Sequence, residues 1–246
     1  MRNLYLVSKE DFKNLFKNPM WLFYATLFPI LLVVILGFLM KDSYGSDVTS
    51  YDYYGITLMI YSILMSGMTS ANAFMEVTIR KPNMRIIYAP GNPNVIYLSK
   101  IVSSFVFCGV CHLFDLLVIC MLFQIRIQPI AYILPLLVLL ELFSVSLGVM
   151  CCCIFKTEAM ANQILSMVIN LLAIFGGLMF PMDGYGKVIR TMSHLSPAKW
   201  LVQTSFSVIY DKDFSRFVPT MIGLILATVA VFGICKITFR KEDCVC

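Results

Sequence analysis

Six long apolar stretches punctuate the chain, near residues 20 to 40, 54 to 75, 100 to 123, 130 to 154, 160 to 180 and 217 to 236. Each is long enough to cross a hydrocarbon core of about 30 Å as a helix rising about 1.5 Å per residue. The links between them are short, the longest running from 181 to 216, so no polar sequence remains to build a second globular unit. The pattern predicts an all-α polytopic membrane protein, six transmembrane helices forming a single membrane domain over residues 1–246. The first 18 residues follow another rhythm: Leu4, Val7, Phe12, Leu15 and Phe16 fall broadly opposite Lys9, Lys13 and Lys17, and Asn18-Pro19 closes the run. That spacing predicts an amphipathic helix lying on an anionic leaflet. The stretch from Pro181 to Trp200 is too polar to span and is predicted to fold back as short re-entrant helices, with Trp200 anchored at the interface and Ser193 open to water.

Composition agrees with the pattern, since 59% of the 246 residues are apolar, 13% are charged and the mean hydropathy is +0.83. The first apolar run follows a charged segment and lacks a small-residue cleavage site before Lys41, so it is expected to remain as a span. With six spans both ends share a side. That side collects Arg2, Lys9, Lys13, Lys17, Arg80, Lys81, Arg85, Lys100, Lys156, Lys236, Arg240 and Lys241, twelve of the 19 basic residues, against seven on the other. The asymmetry places both termini in the cytoplasm. The net charge of +5 is thereby topological, and no basic, aromatic surface is left outside the spans for nucleic acid.

Several motifs are tested against this frame. "CGVCH", Cys108 to His112, spells the attachment pattern of a c-type haem, but it sits within an apolar run that begins at the cytoplasmic side, away from an oxidising compartment. The same helix carries Ser104, Cys108, Cys111, His112 and Asp115 on one face, a polar stripe that should look inward because an ionisable group facing lipid is costly. Counting from the outer ends of the third and fourth spans puts His112 about 15 Å deep and Glu141 about 16 Å deep. A His112–Glu141 pair is the expectation, with Asp115 as the competing partner. "GGLMFPMDGYGKV" fails the phosphate-loop rule, because Pro181 and Val188 stand where Gly and Ser or Thr are required. Neither a zinc-protease helix nor a Gly-x-Ser-x-Gly elbow is present. The "CCC" at 151 to 153 and the terminal "CVC" read as packing or free thiols, and the tail does not fit a prenylation signal.

The loop after the second span, "MEVTIRKPNMRIIYAPGNPNVIYLSK", presents Arg80, Lys81 and Arg85 beside Met84, Ile86, Ile87 and Tyr88. Charge together with apolar surface suits docking to a soluble partner. The loop resembles the permease subunits of type-2 ABC exporters, in which a Glu ends the second span, a short coupling helix and a Pro follow, and a Lys opens the third span. Glu76, Met84 to Ala89, Pro90 and Lys100 occupy those places, although Lys81-Pro82-Asn83 replaces the family's usual lead into the helix. "GGLMFP" and "MSHLSPAKWLV" resemble the same family's exit from the fifth span and its extracellular turn.

The resemblance implies ATPase coupling through Glu76, Met84, Arg85, Ile86, Ile87 and Pro90, and an extracellular gate at Pro181, Ser196, Pro197 and Trp200. It implies a substrate path at a permease dimer interface lined by the second and fifth spans, here Ser66, Thr69, Asn72, Asn162, Gln163, Ser166 and Asn170 among several Met and aromatic residues. Such surfaces suit an amphipathic small molecule or a short hydrophobic peptide. It further implies two separate ABC ATPase subunits carrying ATP and Mg, a second permease copy or paralogue, contact with membrane lipid, and export across a bacterial plasma membrane. The chain itself is expected to bind no cofactor or metal and to catalyse nothing. Two other readings use His112, Asp115 and Glu141: a gradient-driven carrier with proton sites, or a membrane-embedded enzyme with an acid and a base.

Overall fold

The computed structural model describes residues 2–45, 48–75, 94–125, 127–180, 191, 193 and 196–239. Among them there is no strand, and six helices are long and apolar enough to cross a membrane. An amphipathic helix α1 (Arg2–Lys17) comes first. The spans are α2 (Pro19–Leu39), α3 (Ser50–Met75), α4 (Asn94–Phe123), α5 (Ile130–Phe155), α6 (Glu158–Gly176) and α8 (Phe217–Thr238), with a shorter helix α7 (Pro197–Phe206) between the last two.

Local chemistry sets the boundaries. Asn18 caps the start of α2, its side chain accepting the Met20 backbone N–H at 3.0 Å, and Pro19 fills the first helical position where no donor is needed. One π turn, Phe23–Leu27, lies just ahead of Pro29, whose ring and missing N–H disturb the regular ladder there. The fifth span was expected to reach 180 but stops at Gly176. Gly177 takes a left-handed φ of 73° and Leu178 donates back to the Ala173 carbonyl at 2.9 Å, the closing turn glycine permits.

The third span starts earlier than expected, at Asn94. Lys100, read from the sequence as the cation opening that span at the cytoplasmic boundary, is buried instead, six residues into α4. It donates to Asp11 of α1, whose other carboxylate oxygen accepts the Ser99 hydroxyl at 3.1 Å. Phe12 meets Phe107 edge to face and Leu15 is buried against the same helix. One face of α1 is thus pinned to α4, leaving Tyr5, Leu6 and Phe16 exposed.

α3 is the centre of the bundle, with α2, α4, α5 and α6 packed around it, while α8 rests mainly on α5. The α3–α5 crossing is so close that a Cβ added to Gly148 would stand 1.9 Å from the Gly67 carbonyl oxygen. Ser144 donates to the Leu64 carbonyl at 2.6 Å and Ser70 to that of Val145 at 2.7 Å. Small residues bring the backbones together and their hydroxyls bond across the seam, as helices in lipid require.

At the end remote from α1, the bundle is closed by aromatic side chains. Tyr53 donates to the Gly177 carbonyl and Tyr54 to that of Met179 at 3.1 Å. α7 is tied down by Ser196, whose hydroxyl donates to the Leu172 carbonyl at 3.1 Å. Ser193, expected to be open to water, is buried.

Candidate functional site

The polar stripe of α4 faces inward: Ser104, Cys108, Cys111, His112 and Asp115 are all buried. Their spacing puts them on one side of a helix whose other face, Val106, Val110, Leu113, Phe114 and Leu117, is exposed and apolar. Cys108 and Cys111 of the "CGVCH" sequence pack with Leu15 of α1 and Ala25 of α2, so the motif forms a helix seam. His112 Nδ1 lies 2.6 Å from Glu141 Oε2 on α5, and Nε2 lies 3.0 Å from the Ser62 hydroxyl on α3. The ring therefore joins three spans. With Glu141 ionised, Nδ1–H donates to the carboxylate and Nε2 exchanges a hydrogen bond with Ser62. Asp115 does not take the partner's place, for neither of its oxygens has a hydrogen-bond partner among the described residues, nor does Glu141 Oε1.

Ser62, His112 and Glu141 have the connectivity of a hydrolytic triad, but the space beside them does not suit one. The adjoining cavity, lined by Met59, Ile63, His112, Leu137 and Glu141, holds about 30 Å³, room for a water or two and no organic substrate. The arrangement can hold a proton and lock three helices.

The residues assigned to a substrate path form two further polar contacts between α3 and α6. Asn162 donates to Asn72 Oδ1 at 2.9 Å, and Tyr61 donates to Asn170 Oδ1 at 3.0 Å. Asn170 also donates to the Ser166 carbonyl at 2.8 Å. Ser66 and Thr69 are buried, the former bonded within its own helix to the Ile63 carbonyl at 2.7 Å. Gln163 is exposed on the outside of α6, on the same face as Met160, Met167, Leu171 and Ile174. The seven residues are thus divided between an interhelical seam and an open helix face.

Glu76, Met84, Arg85, Ile86, Ile87 and Pro90 lie outside the described residues, as does Pro181. The remaining gate residues cluster at the start of α7: Ser196 is buried at its N-cap, and Pro197 and Trp200 are exposed. Sequence reasoning missed the role of Ser62 at the histidine and the Gly67–Gly148 crossing. The second was signalled by small residues four apart, Ser144 and Gly148 on α5 and Ser66 and Ser70 on α3.

No curated relative matches the chain at a significant level. The family profile described as ABC-2 type transporter matches residues 2–210, from α1 to just beyond α7. The six spans, their order and this match over most of the length agree, and the chain belongs to the ABC-2 type transporter family as a permease subunit, the transmembrane component of an ABC transporter.

Proposed function

We propose that this subunit exports an amphipathic small molecule or a short hydrophobic peptide, driven by two separate ATPase subunits that carry ATP and Mg, and paired with a second copy or a paralogue. The observation that carries the reading is the outer face of α6, where Met160, Gln163, Met167 and Ile174 stand exposed beside the half-buried amides of Asn162 and Asn170. Flexible thioethers with a few amides adapt to bulky apolar cargo and to a facing helix. The substrate path runs along this face and the adjoining α3 seam, with Ser196, Pro197 and Trp200 at its far end, and Pro181 belongs to the same gate. Both termini lie in the cytoplasm of a bacterial cell, and the loop holding Glu76, Met84, Arg85, Ile86, Ile87 and Pro90 couples to the ATPase.

The test is co-expression with the cognate ATPase in membrane vesicles. Cargo should stimulate ATP hydrolysis, and the double variant Arg85→Glu with Ile86→Asp should reach the membrane at normal abundance yet move nothing. Full transport by that variant would sink the coupling assignment. A gradient-driven carrier is the second reading, favoured by Asp115, a buried carboxyl without a hydrogen-bond partner among the described residues. Transport that stops when the proton gradient is collapsed, with ATP intact, would favour it.

A further inference from the structure

α6 and α8 both lean on α5, and between them lies a half-open cavity of about 720 Å³, roofed by α7. Its depth can be counted. Leu140 lies ten residues inside the end of α5 at Ile130, and Ala227 ten residues inside the end of α8 at Phe217. Each is about 15 Å deep, half of a hydrocarbon core of about 30 Å. Counted the same way, Leu64 and Leu147 of the lining stand 14 and 17 residues inside the ends of α3 and α5 at Ser50 and Ile130, about 21 and about 25 Å deep, so the cavity runs from the membrane surface remote from α1 to the bilayer mid-plane and beyond it.

Its chemistry is graded along that depth. The polar lining side chains, Gln203, Thr204, Ser215, Arg216 and Thr220, all belong to α7 or to the segment leading into the first turn of α8, while the deep lining is wholly apolar. Arg216 is the residue immediately before α8 and stands where headgroups lie. One guanidinium N–H donates to Gln203 Oε1 at 2.7 Å, which orients the group and leaves donors of its planar fork for an anion. Asp213 does not claim them: its carboxylate accepts the Ser215 backbone N–H and hydroxyl, both at 2.9 Å. Those bonds, together with the charge of Arg216, hold its carboxyl below the usual range.

We propose that this cleft is a phospholipid site, one acyl chain lying in the cavity and reaching at least to the mid-plane and the phosphate resting on Arg216. A phospholipid has the same gradient, an anion at headgroup depth above some 15 Å of hydrocarbon. An amphipathic cargo would need polar anchors along its length, and a second copy of the chain would need a surface to lie on rather than a cleft within one protomer. The site lies on the α8 side of α6; it shares Pro197 and Trp200 with the gate assigned to export but not the exposed Met160, Gln163 and Met167 face, and does not depend on which cargo is moved.

The test is native mass spectrometry of the full chain released from nanodiscs of palmitoyl-oleoyl phosphatidylethanolamine and phosphatidylglycerol. The wild type should retain one phospholipid mass per chain. Gly223 lines the cavity and a Cβ there meets nothing within 4 Å, so Gly223→Phe has room to start into the space and should abolish the adduct. Ala227→Leu serves as a second filling variant. Arg216→Gln should lower occupancy about tenfold, the factor carried by about 1.4 kcal/mol, and Lys212→Gln, earlier in the same link and outside the cavity lining, should leave it unchanged. A folded filling variant that keeps its lipid as the wild type does, or a wild type that retains no phospholipid or retains a second chain in its place, would overturn the proposal.

Discussion

α3 and α8 are both membrane-crossing helices that pack on α5, yet 83% of the most apolar stretch of α3 is buried in the protein against 11% of that of α8. In water the more apolar helix would be the inner one. Here the order is reversed, for α3 is the least apolar of the six spans and occupies the centre. Lipid is as good a solvent for leucine as another helix is, so apolar surface gives little reason to go inside. What draws α3 inward is its small and hydroxylated side chains, Ser62, Gly67, Ser70 and Asn72, which meet His112, Gly148, the Val145 carbonyl and Asn162. α8 also carries Thr220, Gly223, Thr228 and Gly233, but a Cβ at either glycine would meet nothing within 4 Å, Thr228 bonds within its own helix and Thr220 bonds to Thr204 of the shorter helix α7, so α8 serves as a wall against lipid.

The largest effect that could break this contrast is steric. Gly148→Leu drives a side chain into the Gly67 carbonyl, where even a Cβ would be 1.9 Å away, and no rotamer relieves a contact between backbones. The expected outcome is loss of the folded, monodisperse protein in detergent size-exclusion. Gly223→Leu on α8 should change thermal stability by no more than about 0.5 kcal/mol, as substitutions free of contacts do. Equal losses at the two glycines would show that α8 is packed as tightly as α3.

Much of this arrangement can be read from the sequence, and the failures have physical reasons. Six spans are legible because each is long and apolar enough to cross a hydrocarbon core, and the depth of His112 and Glu141 follows from the helical rise alone. Lys100 misled because a cation near a span end looks solvated. Its pairing with Asp11, 89 positions earlier, offsets the burial, and no local pattern reveals a partner at that distance. The role of Ser62 was missed for a different reason, since one hydroxyl among the seven buried polar side chains on α3 carries no sign of which neighbour it will meet. Helix rotation decides that, and rotation is set by packing. The coupling residues and Pro181 rest on resemblance, because they fall outside the described residues.

A smaller effect sharpens the comparison at the centre of α3. His112→Ala and Glu141→Ala should each cost about 3 kcal/mol in detergent, because either one strands its partner in a buried site. The double variant should fall short of their sum by about 1 kcal/mol or more, the signature of direct contact. Ser62→Ala should cost about 1 kcal/mol, since it removes a single hydrogen bond to the ring. Strict additivity of the two large losses would mean that the pair does not act as a unit, and that α3 is held by its small residues alone.

The smallest effect discriminates most finely, because it compares one hydroxyl with another. Ser70 on α3 reaches across the seam to the Val145 carbonyl at 2.7 Å, whereas Thr228 on α8 bonds back to Leu224 of its own helix, also at 2.7 Å. Equal distances do not mean equal consequences. The Ser70 bond exists only when α3 and α5 are assembled, so Ser70→Ala should lower stability by about 0.6 kcal/mol, and by no more than about 1.7 kcal/mol, the range of interhelical hydrogen bonds in membranes. The Thr228 bond forms whether or not α8 is docked, so Thr228→Val, which keeps the shape and removes the hydroxyl, should leave thermal unfolding in detergent unchanged. A loss at Thr228 matching that at Ser70 would mean that its hydroxyl bonds to a neighbouring helix when assembled, and α8 would then be held by the same polar contacts as α3.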